Sequence, residues 1–196
     1  MPTQPIFHAD TALAKGLRAL LEQLEQRLSL HRPLNVYIAG GMAVHLYTAG
    51  RVTTDVDAEF GGRVHLPNDL MVEVTREDGT RQVLYLDTNY NSTFALMHED
   101  YLTDSIPLDL GVDQLRVRVL SPVDLAVSKI ARFGDTDRED IAALVRLGLT
   151  SADEIEKRAK SAMAGYIGGE AMLRLNIDDA VALARRAEMD RSSSSR

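Results

Sequence analysis

The sequence predicts an α+β chain, with a mixed sheet and flanking helices up to about residue 120 and a C-terminal helical bundle after it. Three observations carry this. A leucine run at helical spacing opens the chain. Short apolar segments of strand length, bounded by Gly, Pro and Asn, fill the stretch from Asn35 to Leu120. At Ser121-Pro122 the pattern changes to a succession of helix starts. The expected units are an α/β core over residues 1–120, a helical subdomain over 121–190 and a serine-rich, disordered tail over 191–196.

In chain order, Leu13, Leu17, Leu20, Leu21, Leu24 and Leu28 predict a helix over Ala9 to Leu30, with Asp10 as its cap and Pro33 beyond its end. Asn35 to Ala39 reads as a short buried strand. Gly40-Gly41 opens a helix over Met42 to Thr48, with Gly50 as the expected C-cap. Thr54 to Phe60 follows as one strand. Leu70 to Thr75 and Arg81 to Asp87 alternate in polarity and flank Asp78-Gly79, the signature of a hairpin. Thr93 to Met97, Ile106 to Leu110 and Leu115 to Leu120 are further strand candidates. Ser121 as N-cap, Pro122 at the first helical position and Asp124 two residues on predict a helix to about Phe133. Another helix starts at Asp135 or Thr136 and ends near Gly148; a third starts at Ser151 with Glu154; Ile177 to Ala187 belongs to a fourth.

Composition narrows the function classes. With 45% hydrophobic residues among 196, a sizeable core is available and global disorder is excluded. There is no cysteine, which removes a disulfide framework, a thiol nucleophile and a cysteine zinc site. No apolar run approaches the roughly 20 residues that span a bilayer, and the N-terminus lacks the layout of a signal peptide. The expectation is a bacterial-type cytoplasmic protein without a membrane partner. The net charge of −7 argues against a surface devoted to nucleic-acid backbones, so an RNA partner would have to be met by a local basic patch.

The chemistry is concentrated in Tyr37-Ile-Ala-Gly-Gly-Met-Ala-Val44 and Arg51-Val-Thr-Thr-Asp-Val-Asp57. Residues two apart on a strand share a face, so Asp55 and Asp57 project together while Val56 turns to the core. Carboxylates so placed repel one another unless a cation lies between them, and Mg²⁺ takes one or two carboxylates plus substrate phosphates. A glycine pair at a helix start lets phosphate approach the backbone N–H groups. Phosphate cradle and metal ligands on neighbouring strands suit phosphoryl or nucleotidyl transfer. Taken singly, the glycine pair also reads as an ordinary turn and the acidic pair as solvated surface; their order and spacing together favour the site. His45, His65 and His98 show no ligand-like spacing and are read as non-metal residues.

This segment resembles the active-site signature of the nucleotidyltransferase superfamily related to DNA polymerase β: a hydrophobic strand, a glycine pair, a helix, then two acidic residues one apart on the next strand. Leu120-Ser-Pro-Val-Asp-Leu-Ala-Val-Ser-Lys-Ile-Ala-Arg132 and Asp137-Arg-Glu-Asp-Ile141 resemble the branch of AbiEii-like toxins and small bacterial nucleotidyltransferases. The likeness spans roughly residues 34–147. It implies a nucleotidyltransferase-like sheet and transfer of a nucleoside monophosphate from an NTP. It also implies Mg²⁺ or Mn²⁺ on Asp55 and Asp57, and a triphosphate held by Gly40 and Gly41 and neutralised by Lys129. Asp140 would orient Lys129 or the helix pair around it, while Arg51 and Thr53 would touch the nucleotide or close the turn. The superfamily's third carboxylate is sought first at Asp87, then Asp109, then Glu73. Acceptors under this resemblance are a tRNA, a protein or a small molecule, with a toxin role and an antitoxin partner among the expectations. Gly41, where many relatives carry serine, and the lack of an A-R-G run after it set the chain apart from the short antitoxin-type members.

Overall fold

A computed structural model describes residues 6–194. They fall into two compact units. The first comprises the chain up to Tyr90 together with Ser105–Leu120; the second comprises Asn91–Asp104 and the chain from Ser121 onward. The segment Asn91–Asp104 thus groups with the helices rather than with the sheets.

In the first unit, helix α1 runs Ala12–Arg27. Its cap is Thr11, whose hydroxyl accepts the Ala14 N–H at 3.1 Å, one residue after the expected Asp10. The leucine stripe Leu13, Leu17, Leu20, Leu21 and Leu24 is buried as its spacing requires. Strand β1 (Leu34–Ile38) leads into α2 (Gly40–Thr48). The left-handed residue that ends α2 is Ala49 at φ 57°, in place of the expected Gly50. Strand β7 (Leu115–Val119) lies parallel to β1.

The single strand expected over Thr54–Phe60 is two. β2 (Asp55–Val56) pairs in parallel with β5 (Arg81–Leu86), and β3 (Ala58–Phe60) pairs antiparallel with β1. The chain changes sheets at Asp57. One sheet is β3-β1-β7-β6, with β6 at Ile106–Pro107, and the other β2-β5-β4, with β4 at Met71–Thr75. Strand β4 (Met71–Thr75) forms the predicted hairpin with β5, turning at Asp78-Gly79 with Gly79 at φ +80°. The expected strand from Ile106 shrinks to β6 (Ile106–Pro107), since the loop after it is organised by the Asp109 carboxylate accepting the Gly111 N–H at 2.8 Å. The α1 face covers the buried residues Val74, Leu84 and Leu86 of the second sheet.

The second unit is helical. The strand expected over Thr93–Met97 is a 3-10 turn, Ser92–Phe94, set by Asn91 accepting the Thr93 N–H. Helix α3 (Pro122–Ser128) starts on Ser121, as the Ser-Pro signal predicts, but stops at Lys129 rather than Phe133. Phe133 at φ 49° breaks the path before α4 (Asp135–Arg146). Helix α5 (Ala152–Ala162) carries the Ser151–Glu154 capping box. Helix α6 spans Glu170–Ser194, so the tail expected to be disordered over 191–196 is helical at Arg191–Ser194, and its last two residues, Ser195 and Arg196, lie outside the described residues. Ser192 and Ser193 donate their hydroxyls to the carbonyls of Glu188 and Met189, each at 3.0 Å. Arg158 ties this unit together, bonding Asp124 at 2.7 and 2.9 Å and Asp104 at 2.6 Å. Burial opposes the Arg158 charge, but these carboxylates outweigh it and raise its pKa.

Candidate functional site

The site is built where the two sheets of the first unit meet. Val56 receives the Asp87 N–H at its carbonyl (3.0 Å), continuing the β2–β5 ladder, and the Asp57 carbonyl receives the Ala39 N–H (2.9 Å) at the end of β1. Asp57 therefore sits between the end of β1, just before Gly40, and the end of β5. Val56 and Ala58 are buried while Asp55 and Asp57 are half-buried. The expected alternation survives the change of sheet, and both carboxylates face away from the core.

Gly40 has φ +56°, and a Cβ there would lie 1.8 Å from Asp57 Oδ2 and 2.7 Å from its Cγ. The carboxylate fills the place of the missing side chain. A Cβ on Gly41 would lie 2.9 Å from Thr53 Oγ1 and 3.5 Å from an Arg51 guanidinium nitrogen. Both glycines are thus required by close approach, and the first turn of α2 is pressed against the Arg51–Asp57 segment. That turn has no side-chain cap, so its helix dipole is left to other groups.

Thr53, buried, donates its hydroxyl to Asp55 Oδ1 at 2.5 Å, and its carbonyl accepts Gln82 Nε2 at 2.7 Å. His45 holds the start of the segment. Its Nδ1 donates to the Arg51 carbonyl and its Nε2 faces Thr11 Oγ1, both at 2.7 Å. A carbonyl can only accept, so the neutral ring carries its proton on Nδ1 and takes the Thr11 hydroxyl proton at Nε2. Burial lowers the His45 pKa; the Arg51 carbonyl and Glu77 offset this in part. No spacing of residues signals this brace, because its partners are a carbonyl and a helix cap.

The structure brings Gly40, Gly41, Arg51, Thr53, Asp55 and Asp57 together. Asp87 occupies the ladder position beside Asp57, since Asp55 is paired with Tyr85 and Val56 with Leu86. Its Oδ1 accepts the Asn89 N–H at 2.9 Å. Tyr85, across from Asp55 and 43% exposed, lies on the same open face. The alternation Val83-Leu-Tyr-Leu-Asp87 carried that signal. Asp109 is exposed on the loop after β6, and Leu108 bonds Val117, which pairs with Val36. That places it toward the end of β1 remote from Gly40. Glu73 is exposed on β4, two strands from Asp55, with Arg81 at 3.7 Å.

Lys129 and Asp140 meet in the helical unit. Lys129 Nζ lies 2.8 Å from Asp140 and 3.9 Å from Asp137, with all three side chains at most 7% exposed. Asp137 also takes two bonds from Arg132 at 2.7 Å and the Gly134 N–H at 3.0 Å. Burial would raise its pKa, but Arg132, Gly134 and Lys129 together hold it below the ordinary aspartate value.

Residues 15–177 match the family described as nucleotidyltransferase of unknown function, DUF6036. The chain belongs to this family. The glycine turn and both acidic residues lie within the matched span, as do Asp87, Lys129 and Asp140. The chain is also similar to an antigenic nucleotidyltransferase-like protein from Paracoccidioides brasiliensis, known from its crystal structure. The two are 19% identical, with 87% of this chain and 94% of that one covered at a TM-score of 0.43. No curated protein sequence matches the chain.

Among the described residues, no group of three or more His, Cys, Asp or Glu side chains forms a ready metal cage. The donor set at the junction is two carboxylates with a threonine hydroxyl on one of them. It lacks the thiolate and imidazole ligands that zinc favours and fits a hard cation that completes its shell with substrate oxygens. No helix among the described residues is long and apolar enough to cross a membrane.

Proposed function

We propose that the protein transfers a nucleoside monophosphate from an NTP to an acceptor hydroxyl and releases pyrophosphate. The observation that carries this reading is the packing of the Gly40-Gly41 helix start directly on Asp57 and Thr53, which sets a phosphate cradle beside a carboxylate pair. Asp55 and Asp57 would hold Mg²⁺ or Mn²⁺; bound there, the metal would supply charge neutralisation of the phosphates and a Lewis acid for the displacement. Gly40 and Gly41 present backbone N–H groups to the triphosphate, and Arg51, whose guanidinium lies by Gly41, offsets its charge. Thr53 fixes the Asp55 rotamer.

Asp87 is the proposed general base, being in line with Asp57 on the neighbouring strand. The acceptor hydroxyl gives its proton to Asp87 as its oxygen bonds the α-phosphorus. The bond from that phosphorus to the oxygen bridging the α- and β-phosphates breaks, and pyrophosphate leaves. The roles of Lys129 as a phosphate ligand and of Asp140 in orienting its ammonium rest on the family resemblance; their 2.8 Å contact is that of an ion pair inside the helical unit. Membership of the AbiEii-like toxin branch, with tRNA, protein or small-molecule acceptors and an antitoxin partner, is the finer form of this proposal.

The test is incubation of the purified protein with each α-³²P-labelled NTP and Mg²⁺, with and without total RNA and cell lysate. Label in RNA, protein or a small molecule that is lost in Asp55→Ala supports transfer and names the acceptor. A second reading is favoured by the Asp87 carboxylate accepting the Asn89 N–H. Under it the protein binds nucleotide without turnover. Calorimetric Mg²⁺–ATP binding that depends on Asp55, with no label transferred anywhere, would establish that alternative.

A further inference from the structure

We propose that the outer edge of β4 is a strand-addition site for an extended, basic polypeptide segment. Strand β4 is the terminal strand of its sheet. Its register with β5, together with the Leu86 N–H bonded to Leu70 and the Arg76 N–H bonded to Thr80, turns the backbone groups of Val72 and Val74 toward β5. The N–H and C=O groups of Met71, Glu73 and Thr75 point the other way. Among the described residues, no backbone bond reaches them from that side. Natural edge strands are blunted by shortness, charged side chains (lysine above all), proline, a bulge or a covering element. Met71–Thr75 has no lysine, no proline and an unbroken five-residue register, and its one charge is Glu73.

Beside this edge runs a groove of about 570 Å³. It is lined by the consecutive residues Val72 to Thr75, which both faces of a strand supply, so it follows the edge and not one face. Its other wall is α1, smooth where Ala12, Gly16 and Ala19 lie at helical spacing. An added strand would bond the edge and lay alternate side chains against that wall. The ionic groups lining the groove are Asp10, Glu73 and Glu77 against Lys15, with Arg81 3.7 Å from Glu73 on the neighbouring strand. The remaining excess of carboxylates selects Lys- or Arg-bearing side chains. It repels the phosphates of a nucleic acid. Self-pairing about a two-fold axis at Glu73 would set the two copies of that carboxylate opposite each other, which disfavours a second copy of the chain.

The probe is a fluorescein-labelled nine-residue peptide, Ser-Lys-Val-Lys-Thr-Lys-Val-Lys-Ser, with a control carrying Glu in place of each Lys. Anisotropy with the full chain should show binding of the basic peptide, weakened at least tenfold by Glu73→Lys and less by Glu73→Gln. Glu73 is exposed, so both variants should keep the wild-type melting curve. Hydrogen exchange followed by NMR should slow at least tenfold at the amides of Met71, Glu73 and Thr75 when the peptide binds. The proposal is overturned by absence of binding at millimolar peptide, by equal binding of the acidic control, or by binding that leaves those three amides unchanged. It is also overturned if a concentration-dependent dimer protects the same amides without peptide. None of these readouts depends on nucleotide transfer.

Discussion

Substituting Gly40 by alanine separates two effects that the geometry superimposes. One is conformational. An L-residue at φ +56° occupies the left-handed region, at roughly 1–2 kcal/mol. The other is steric, because the new Cβ would stand 1.8 Å from Asp57 Oδ2, with the Asp57 Cβ itself 3.0 Å away. Something has to move, and the carboxylate is the movable part. Gly79 offers an internal standard, since it sits at φ +80° with nothing within 4 Å of a built Cβ. Gly79→Ala should therefore report the conformational cost alone, about 1–2 kcal/mol. Gly40→Ala should exceed it. In the Asp57→Ala background the carboxylate is gone and only the Cβ at 3.0 Å remains, so most of the excess should go, giving a coupling of about 1–3 kcal/mol in the double-mutant cycle. Urea unfolding of the four proteins measures the cycle, and calorimetry with Mg²⁺–ATP should show Gly40→Ala losing at least the affinity that Asp57→Ala loses. Additivity within about 0.5 kcal/mol would refute the reasoning, because it would mean the Asp57 carboxylate does not lie against the glycine.

Three further outcomes are expected. The folded-state pKa of His45 is lowered below its ordinary 6.5, chiefly by burial. Its contribution to stability is therefore full above pH 6.5 and lost as pH falls toward the depressed value; urea midpoints should drop over that window and drop less in His45→Gln. Lys129→Met leaves Asp140 and Asp137 buried without their ammonium and should destabilise by about 3–5 kcal/mol. Lys129→Met with Asp140→Leu should recover much of that, with thermal and urea melts as the check. Gly41→Ser must displace Thr53 by several tenths of an ångström. It should weaken Mg²⁺–ATP binding more than it lowers the melting temperature, by calorimetry against differential scanning.

How far the sequence reaches can be read from particular elements. The leucine stripe of α1, the Asp78-Gly79 hairpin and the Ser121-Pro122 helix start are local signals with local causes, and each appears where its residues place it. The strand taken as continuous through Asp57 was not legible as two, because a change of sheet leaves the alternation of Val56 and Ala58 intact. The second helix ends at Thr48 as expected, but on a left-handed Ala49 in place of Gly50, and the third ends at Ser128, short of Phe133, a left-handed residue; both are unusual residue types for that conformation. The approach of the glycine pair to the acidic pair follows from their spacing. The His45 brace does not, and the position of Asp87 beside Asp57, with Glu73 two strands from Asp55, needs the register of β5.

The two central carboxylates are held by different means, and this bears on how their substitutions should be read. Asp55 is fixed through a hydroxyl, Thr53 Oγ1, and sits on an open face beside Tyr85. Its removal leaves the Thr53 hydroxyl the Asp55 carbonyl, at 3.3 Å, as acceptor and disturbs little packing. Asp57 stands in the space that Gly40 vacates, and its backbone joins β1 to the rest of the site. Its removal opens a gap at the turn proposed to receive phosphate. Equal losses of nucleotide affinity in Asp55→Ala and Asp57→Ala would thus have unequal causes, charge alone in the first and charge with geometry in the second. Asp55→Asn and Asp57→Asn keep the shape of the carboxylates and remove the charge. If the geometric argument is sound, Asp57→Asn should retain more of the Gly40 environment than Asp57→Ala, whereas Asp55→Asn and Asp55→Ala should be alike.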